Sequence, residues 1–192
     1  MSVGDYLGRR ALYTPNQLAV VDAGKPTPWR LSYRQMNERA NRLAAWLDDA
    51  VDVGKGDRVA MMARDGVEHL DVFFACGKLG AIHTTFNWRL HWRELLQLIE
   101  STQPKALFFS SDFREAVAEL QASDTSIELW VHLDADGVGG SADYSEGLQS
   151  YPPLPIACDD LDEEDIAALI FTGGTTGLPK GAQVSHRMIA WN

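Results

Sequence analysis

The chain has 192 residues, of which 45% are hydrophobic, and a net charge of −10 from 27 acidic and 17 basic residues. That balance describes a soluble globular protein and excludes nucleic acid and anionic membrane as partners, because both select a basic face. One sizeable domain is expected, burying roughly 70% of the surface of the unfolded chain.

In chain order, Val3 to Leu12 reads as a short helix. Leu18–Val21 and Trp29–Leu31 are strand-like and separated by Gly24-Lys-Pro-Thr-Pro28, so they predict a hairpin. Ser32-Tyr-Arg-Gln35 is a capping box opening a helix in which Tyr33, Met36, Ala40, Leu43 and Leu47 share one face. Strand and helix patterns then alternate. Arg58–Ala63 is a strand, and Asp65-Gly-Val-Glu68 caps a helix running to Leu79. Ala81–Phe86 is a β-branched strand and His91–Glu100 a helix, with Trp92, Leu95, Leu96 and Ile99 inward. Ala106–Phe109 is a buried strand, Asp112–Gln121 a helix and Ile127–His132 a strand. Such alternation predicts an α/β fold with a mostly parallel sheet and right-handed crossovers. Asp134–Ser150 reads as a surface excursion, Tyr151–Pro155 as an extended connection and Asp159–Asp165 as a solvated acidic lead-in.

No metal or redox motif is expected. Cys76 and Cys158 are far apart without C-x-x-C spacing, and the five histidines show no ligand pattern. Cys76 falls in an apolar run and reads as a small buried hydrophobe. The amino terminus lacks a basic-then-apolar signal and no window is long enough to span a membrane, so the cytoplasm is the expected compartment.

The chemistry concentrates near the end. Ile166–Ile170 is a run of five apolar residues that predicts a strand buried on both faces. After Phe171 come Thr172, Gly173, Gly174, Thr175, Thr176 and Gly177, a loop almost without bulk. Glycines there let backbone N–H groups converge on an anion, and the threonine hydroxyls add donors. Pro179 lacks an N–H and drives the chain out extended, and Lys180 supplies a point charge for phosphate. Gly181–Val184 reads as a second strand, so the whole is a glycine-rich hairpin shaped as a phosphate cradle. Walker and dinucleotide-binding spacings are both absent. A plain tight turn is the alternative, but it would leave three threonines and a lysine idle.

Phe171-Thr-Gly-Gly-Thr-Thr-Gly-Leu-Pro-Lys-Gly181 resembles the signature loop of the adenylate-forming superfamily, which includes acyl-CoA synthetases, adenylation domains and luciferases. Gly173 stands where serine is usual, which removes one hydroxyl. Leu31-Ser-Tyr-Arg-Gln-Met36 is similar to an early motif of that superfamily, and Lys78-Leu-Gly-Ala-Ile-His-Thr-Thr-Phe-Asn-Trp-Arg-Leu90 to a later one. The Asn-x-Arg-Leu ending favours an acyl- or aryl-CoA synthetase, although Thr85 replaces the usual proline. Arg89 reads either as an anion contact or as a structural ion pair, and His83 either as a pocket border or as a satisfied strand histidine.

The resemblance implies an ATP-dependent ligase. A carboxylic acid is adenylated with Mg²⁺·ATP and then transferred to coenzyme A, as in fatty acid metabolism. It implies that Thr172, Gly173, Gly174, Thr175, Thr176, Gly177 and Lys180 hold the β- and γ-phosphates. No catalytic or metal-ligating residue is assigned within the chain. The superfamily's Tyr-Gly-x-Thr-Glu and Thr-Gly-Asp motifs and its late lysine do not occur here. Residues 1–192 are therefore expected to be an incomplete N-terminal AMP-binding domain, inactive alone. Apolar surface left uncovered in such a portion would favour self-association. The alternatives are a fragment of an amino-acid or aryl-acid adenylation domain, and a non-catalytic short protein that binds nucleotide or a partner.

Overall fold

A computed structural model describes residues 3–134, 137–172 and 179–191. Seven strands form one sheet. Leading out from its centre are β3 (Arg58–Met62), β4 (Ile82–Thr85), β5 (Ala106–Phe109) and β6 (Leu129–His132). β7 (Ala142–Asp143), β8 (Ile166–Thr172) and β9 (Lys180–Ser185) complete it in the order β7-β6-β5-β3-β4-β8-β9. Every neighbouring pair is parallel except β8 and β9, which form an antiparallel hairpin. A separate two-stranded sheet pairs β1 (Leu18–Asp22) with β2 (Trp29–Ser32), as the sequence predicts.

Alternation along each strand builds two cores. Val59, Met61 and Phe108 face one side, where they meet α2 (Tyr33–Val51), α3 (Val67–Leu79) and α6 (Tyr144–Ser150). Ala60, Met62, Leu107 and Phe109 face the other, against α4 (Trp92–Thr102) and α5 (Arg114–Gln121). A parallel sheet needs cover on both faces because its βαβ crossovers lay helices on each. The connection leaving β3 thus runs over one face and that leaving β5 over the other, so these neighbours mark a topological switch point.

Helix ends follow local chemistry. Ser32 accepts from Gln35 N–H while the Gln35 side chain takes Ser32 N–H, so the capping box is formed. His91 and Glu94 form the same device on α4. Three readings need correction. The first helix, α1, spans Tyr6–Tyr13 rather than starting at Val3, because Asp5 caps it by accepting from Gly8 N–H. The N-cap of α3 is Gly66, which has no side chain to cap with, and neither Asp65 nor Glu68 does so. The buried Asp22 carboxylate instead reaches across from β1 and accepts from Val67 N–H at 3.1 Å. The stretch read as a surface excursion carries β7 and α6, whose Tyr144 and Leu148 are buried in the first core.

That Tyr144 completes a buried polar network. Asp71, with no exposed surface, accepts two hydrogen bonds from Arg39 Nε and one from Nη2, and a 2.7 Å bond from Tyr144 Oη. Burial works against the Arg39 charge, but the field and hydrogen bonds of Asp71 overcome it and hold the guanidinium above its usual range. The network ties α2, α3 and α6 together. Removing one partner of a buried ion pair leaves the other charged and unsolvated, so Asp71→Asn is expected to cost about 3 kcal/mol of unfolding free energy. Lys25→Met, which breaks the more exposed Lys25–Glu68 pair, is expected to cost no more than about 1 kcal/mol. Urea denaturation of both variants checks this, and equal losses would contradict the ranking.

Candidate functional site

The parallel strands all end on one edge of the sheet, and the Gly/Thr loop departs from that edge at the end of β8. Thr172 and Lys180 are a cross-strand pair at the neck of the hairpin. Thr172 Oγ1 donates to Lys180 O at 3.3 Å, and both side chains are exposed. One step down, Phe171 pairs with Gly181, and a Cβ on Gly181 would meet the Phe171 ring at 3.2 Å. The absent side chain leaves room for that ring, which packs on Phe86 beyond β4, their centroids 6.0 Å apart. The neck is therefore braced against the second core, and it points Thr172 and Lys180 outward. Gly173, Gly174, Thr175, Thr176 and Gly177 lie outside the described residues.

β8 is not buried on both faces, contrary to the reading from its apolar run. Ala167 and Ala168 are buried, but Ile170 is 49% exposed. Ile170 is in register with Ala182 of β9, which is exposed as well.

A crevice of about 300 Å³ opens at the β3/β5 switch point, lined by Arg64, Asp65, Ser110, Ser111 and Asp112, with Lys25 and Glu68 at its rim. Its cations are already committed, Lys25 to Glu68 at 2.5 Å and Arg64 to Asp112 at 2.6 Å. Lys180 has no ion pair among the described residues, so it is the better placed cation for a phosphate. No group of three His, Cys, Asp or Glu side chains among the described residues is arranged to hold a metal.

The stretch Lys78–Leu90 turns out to be mostly structural. Lys78 is 2% exposed and donates to Asp5 Oδ1 at 2.5 Å and to Asn37 Oδ1 at 2.9 Å, which fastens the cap of α1 to α2 and α3. Gly80 takes φ of +70° to end α3, and Ala81 is fully buried. Asn87 turns the chain by accepting Arg89 N–H through its side chain and Leu90 N–H through its carbonyl. Arg89 makes no ion pair among the described residues, and its guanidinium carbon lies over the Trp88 ring, 4.0 Å from the centroid. Trp88 also stacks with Phe113 and carries Arg64 at 5.1 Å.

His83 is not the satisfied strand histidine of the second reading. It is buried among α3 side chains, its ring 6.4 Å from that of His69. Among the described residues its Nδ1 and Nε2 of His69 are buried without a hydrogen-bond partner. Cys76 is fully buried as expected, and burial pushes its thiol far up. Sequence reasoning missed Asp22, Asp71 and Tyr144, whose roles arise only from contacts between distant segments.

The sequence profile of the AMP-binding enzyme family matches residues 7–192. The chain belongs to that family. It is similar to a feruloyl-CoA synthase of an Amycolatopsis species, 33% identical over 190 residues that cover 99% of this chain and 34% of that protein. A long-chain-fatty-acid–CoA ligase of Thermus thermophilus is 29% identical over 190 residues, covering 98% of this chain and 34% of the relative. Among solved structures, an anthranilate CoA ligase in complex with anthranoyl-AMP superposes with a TM-score of 0.88 at 23% identity, over 97% of this chain and 35% of that one. That likeness shows the fold, that of N-terminal regions of adenylate-forming enzymes. The chain spans about a third of the length of the curated relatives it matches. The matched relatives are acid–thiol ligases by name, and no helix among the described residues is long and apolar enough to cross a membrane.

The buried His83 gives the fold an acid-sensitive point. Burial first, then the neighbouring His69, lower its pKa from 6.5 to about 3. The unfolded chain therefore takes up a proton that the fold refuses. The resulting stability is fully present above pH 6.5 and is lost as pH falls toward 3, at up to about 1.4 kcal/mol per pH unit. His83→Leu is expected to flatten this acid limb in denaturation curves measured at a series of pH values. An unchanged limb would contradict the assignment.

Proposed function

We propose that residues 1–192 form the N-terminal part of the large domain of an AMP-forming acyl-CoA synthetase and carry its phosphate-binding hairpin. The observation that carries this reading is the hairpin neck, where Thr172 and Lys180 stand exposed at the sheet edge from which the Gly/Thr loop departs. In the proposed reaction a carboxylate oxygen bonds to the α-phosphorus of ATP and pyrophosphate leaves. The thiol of coenzyme A then attacks the acyl carbon and AMP leaves. Thr172, the backbone and hydroxyls of Gly173, Gly174, Thr175, Thr176 and Gly177, and the ammonium of Lys180 would hold the β- and γ-phosphates. They would orient pyrophosphate as the leaving group and offset charge gathering on its oxygens. None of these groups is an acid, base or nucleophile, so their contribution is positional and electrostatic. Mg²⁺ would neutralise phosphate charge and would enter with the nucleotide, since the described residues offer no acidic cage for it.

The proposed substrate is a carboxylic acid, and the feruloyl-CoA synthase relatives favour an aryl acid within that class. The residues assigned here bind phosphate but supply no adenine, ribose or thiol contact, so the chain alone is proposed to bind ATP without turning it over. Thermal denaturation with ATP, pyrophosphate and sulfate tests this, because a ligand of the native state stabilises it. ATP and pyrophosphate are expected to raise the Tm of the wild-type chain, and Lys180→Ala to weaken both affinities about tenfold. Equal shifts in wild type and Lys180→Ala would overturn the site. Carboxylate-dependent release of pyrophosphate by this chain alone would overturn the proposed inactivity.

A further inference from the structure

The neck of the hairpin stands beyond the reach of the strand beside it. β4 pairs with β8 from His83 and Ala168 to Thr85 and Ile170 and stops there. β8 and β9 continue for two more pairs, Phe171 with Gly181 and Thr172 with Lys180. On the β4 side, then, no ladder bond holds the neck, and a strand end without such ties opens locally at little cost. What ties it to the body is the Phe171 ring. That ring packs on the second core through Phe86, which is buried and whose N–H donates to Met61 O at 2.9 Å, so its footing is fixed to β3.

Side chains alternate across a strand, so Phe171 and Gly181 share the face toward the second core and Thr172 and Lys180 the opposite one. Directly opposed side chains of an antiparallel pair are neighbours, and here a ring faces bare backbone. A Cβ on Gly181 would lie 3.2 Å from Phe171 Cε1 and 3.4 Å from Cζ, inside ordinary carbon–carbon contact. Gly181 does not have a positive φ, so the backbone would accept a side chain there. The nearest atoms that side chain would meet all belong to the ring. A larger residue at 181 must lift the ring from Phe86 or push β9 away from β8, and Lys180 moves with it.

We infer that Phe171 and Gly181 are a positioning pair for the proposed phosphate site: the ring, lodged between Phe86 and the bare backbone of Gly181, sets where the Lys180 ammonium stands. The inference rests on the reading of Lys180 as a phosphate contact. A lysine is a point charge on a flexible stem, so its backbone must be held if the charge is to meet phosphate at a fixed place. A neck already fixed on Phe86 also loses less entropy when the ligand binds.

Isothermal titration calorimetry with pyrophosphate, beside thermal denaturation of the free chain, tests it. Gly181→Val is expected to leave circular dichroism unchanged and Tm unchanged or raised, because valine favours a strand and glycine does not. It is nonetheless expected to weaken pyrophosphate binding about tenfold. Adding Phe171→Leu, which withdraws the ring edge, is expected to bring no further loss, since both changes break one contact. In a Lys180→Ala chain, Gly181→Val is expected to change affinity less than about twofold, because the group it positions is gone. Undiminished affinity in Gly181→Val, losses that multiply in the double variant, or the same loss with and without Lys180 would each overturn the inference and leave the phosphate site standing. Equal binding by wild type and Lys180→Ala would remove the site, and the inference with it.

Discussion

A parallel sheet cannot leave a face to water, and most of this molecule follows from that requirement. Each crossover must deliver a helix to one face or the other, so the strands carry large apolar side chains in both directions. Phe108 and Phe109 are adjacent in sequence, both fully buried, and belong to opposite cores. The same geometry sends every parallel strand out at one edge, where the chain is free to vary without disturbing either core. β8 obeys the rule only along its first half. Beyond Ala168 its residues are half-buried or exposed, and this end carries the loop.

The charge distribution sharpens that division. In a chain of net charge −10, a polyanion such as ATP can be held only where donors are concentrated and cations uncommitted. Arg39, Arg64, Lys25, Lys55 and Lys78 are all engaged by carboxylates, and Arg89 is spread on Trp88. The cations lining the switch-point crevice, Lys25 and Arg64, are both paired with carboxylates. Lys180 at the hairpin neck, two strands away, makes no ion pair among the described residues.

Much of the fold was legible in the sequence because its signals are local. The capping box at Ser32, the alternation of strand and helix, and the hairpin about Gly173–Lys180 each rest on a few neighbouring residues. What escaped depends on partners remote in the chain. Asp22 caps a helix 45 residues away, and Asp71 meets Tyr144 across 73. Nothing near Tyr144 marks it as buried, so its segment reads as polar surface. The apolar run of β8 misled in the opposite sense, since hydrophobicity reports what a strand could bury and not what packs against it. The motif around Lys78–Leu90 was visible as a pattern, but its meaning was not. Its lysine, glycine and asparagine serve a helix cap, a left-handed helix end and a turn, and its histidine is a buried, unsatisfied ring.

The central claim is that phosphate is bound by the hairpin after β8 and not by the crevice between β3 and β5. Two-dimensional amide NMR of the chain titrated with pyrophosphate tests it most directly. The account predicts the largest shifts at the amides of Thr172 through Leu178 and of Lys180, with Arg64–Glu68 and Ser110–Asp112 nearly still. Shifts concentrated at Ser110–Asp112, with the hairpin unmoved, would contradict it.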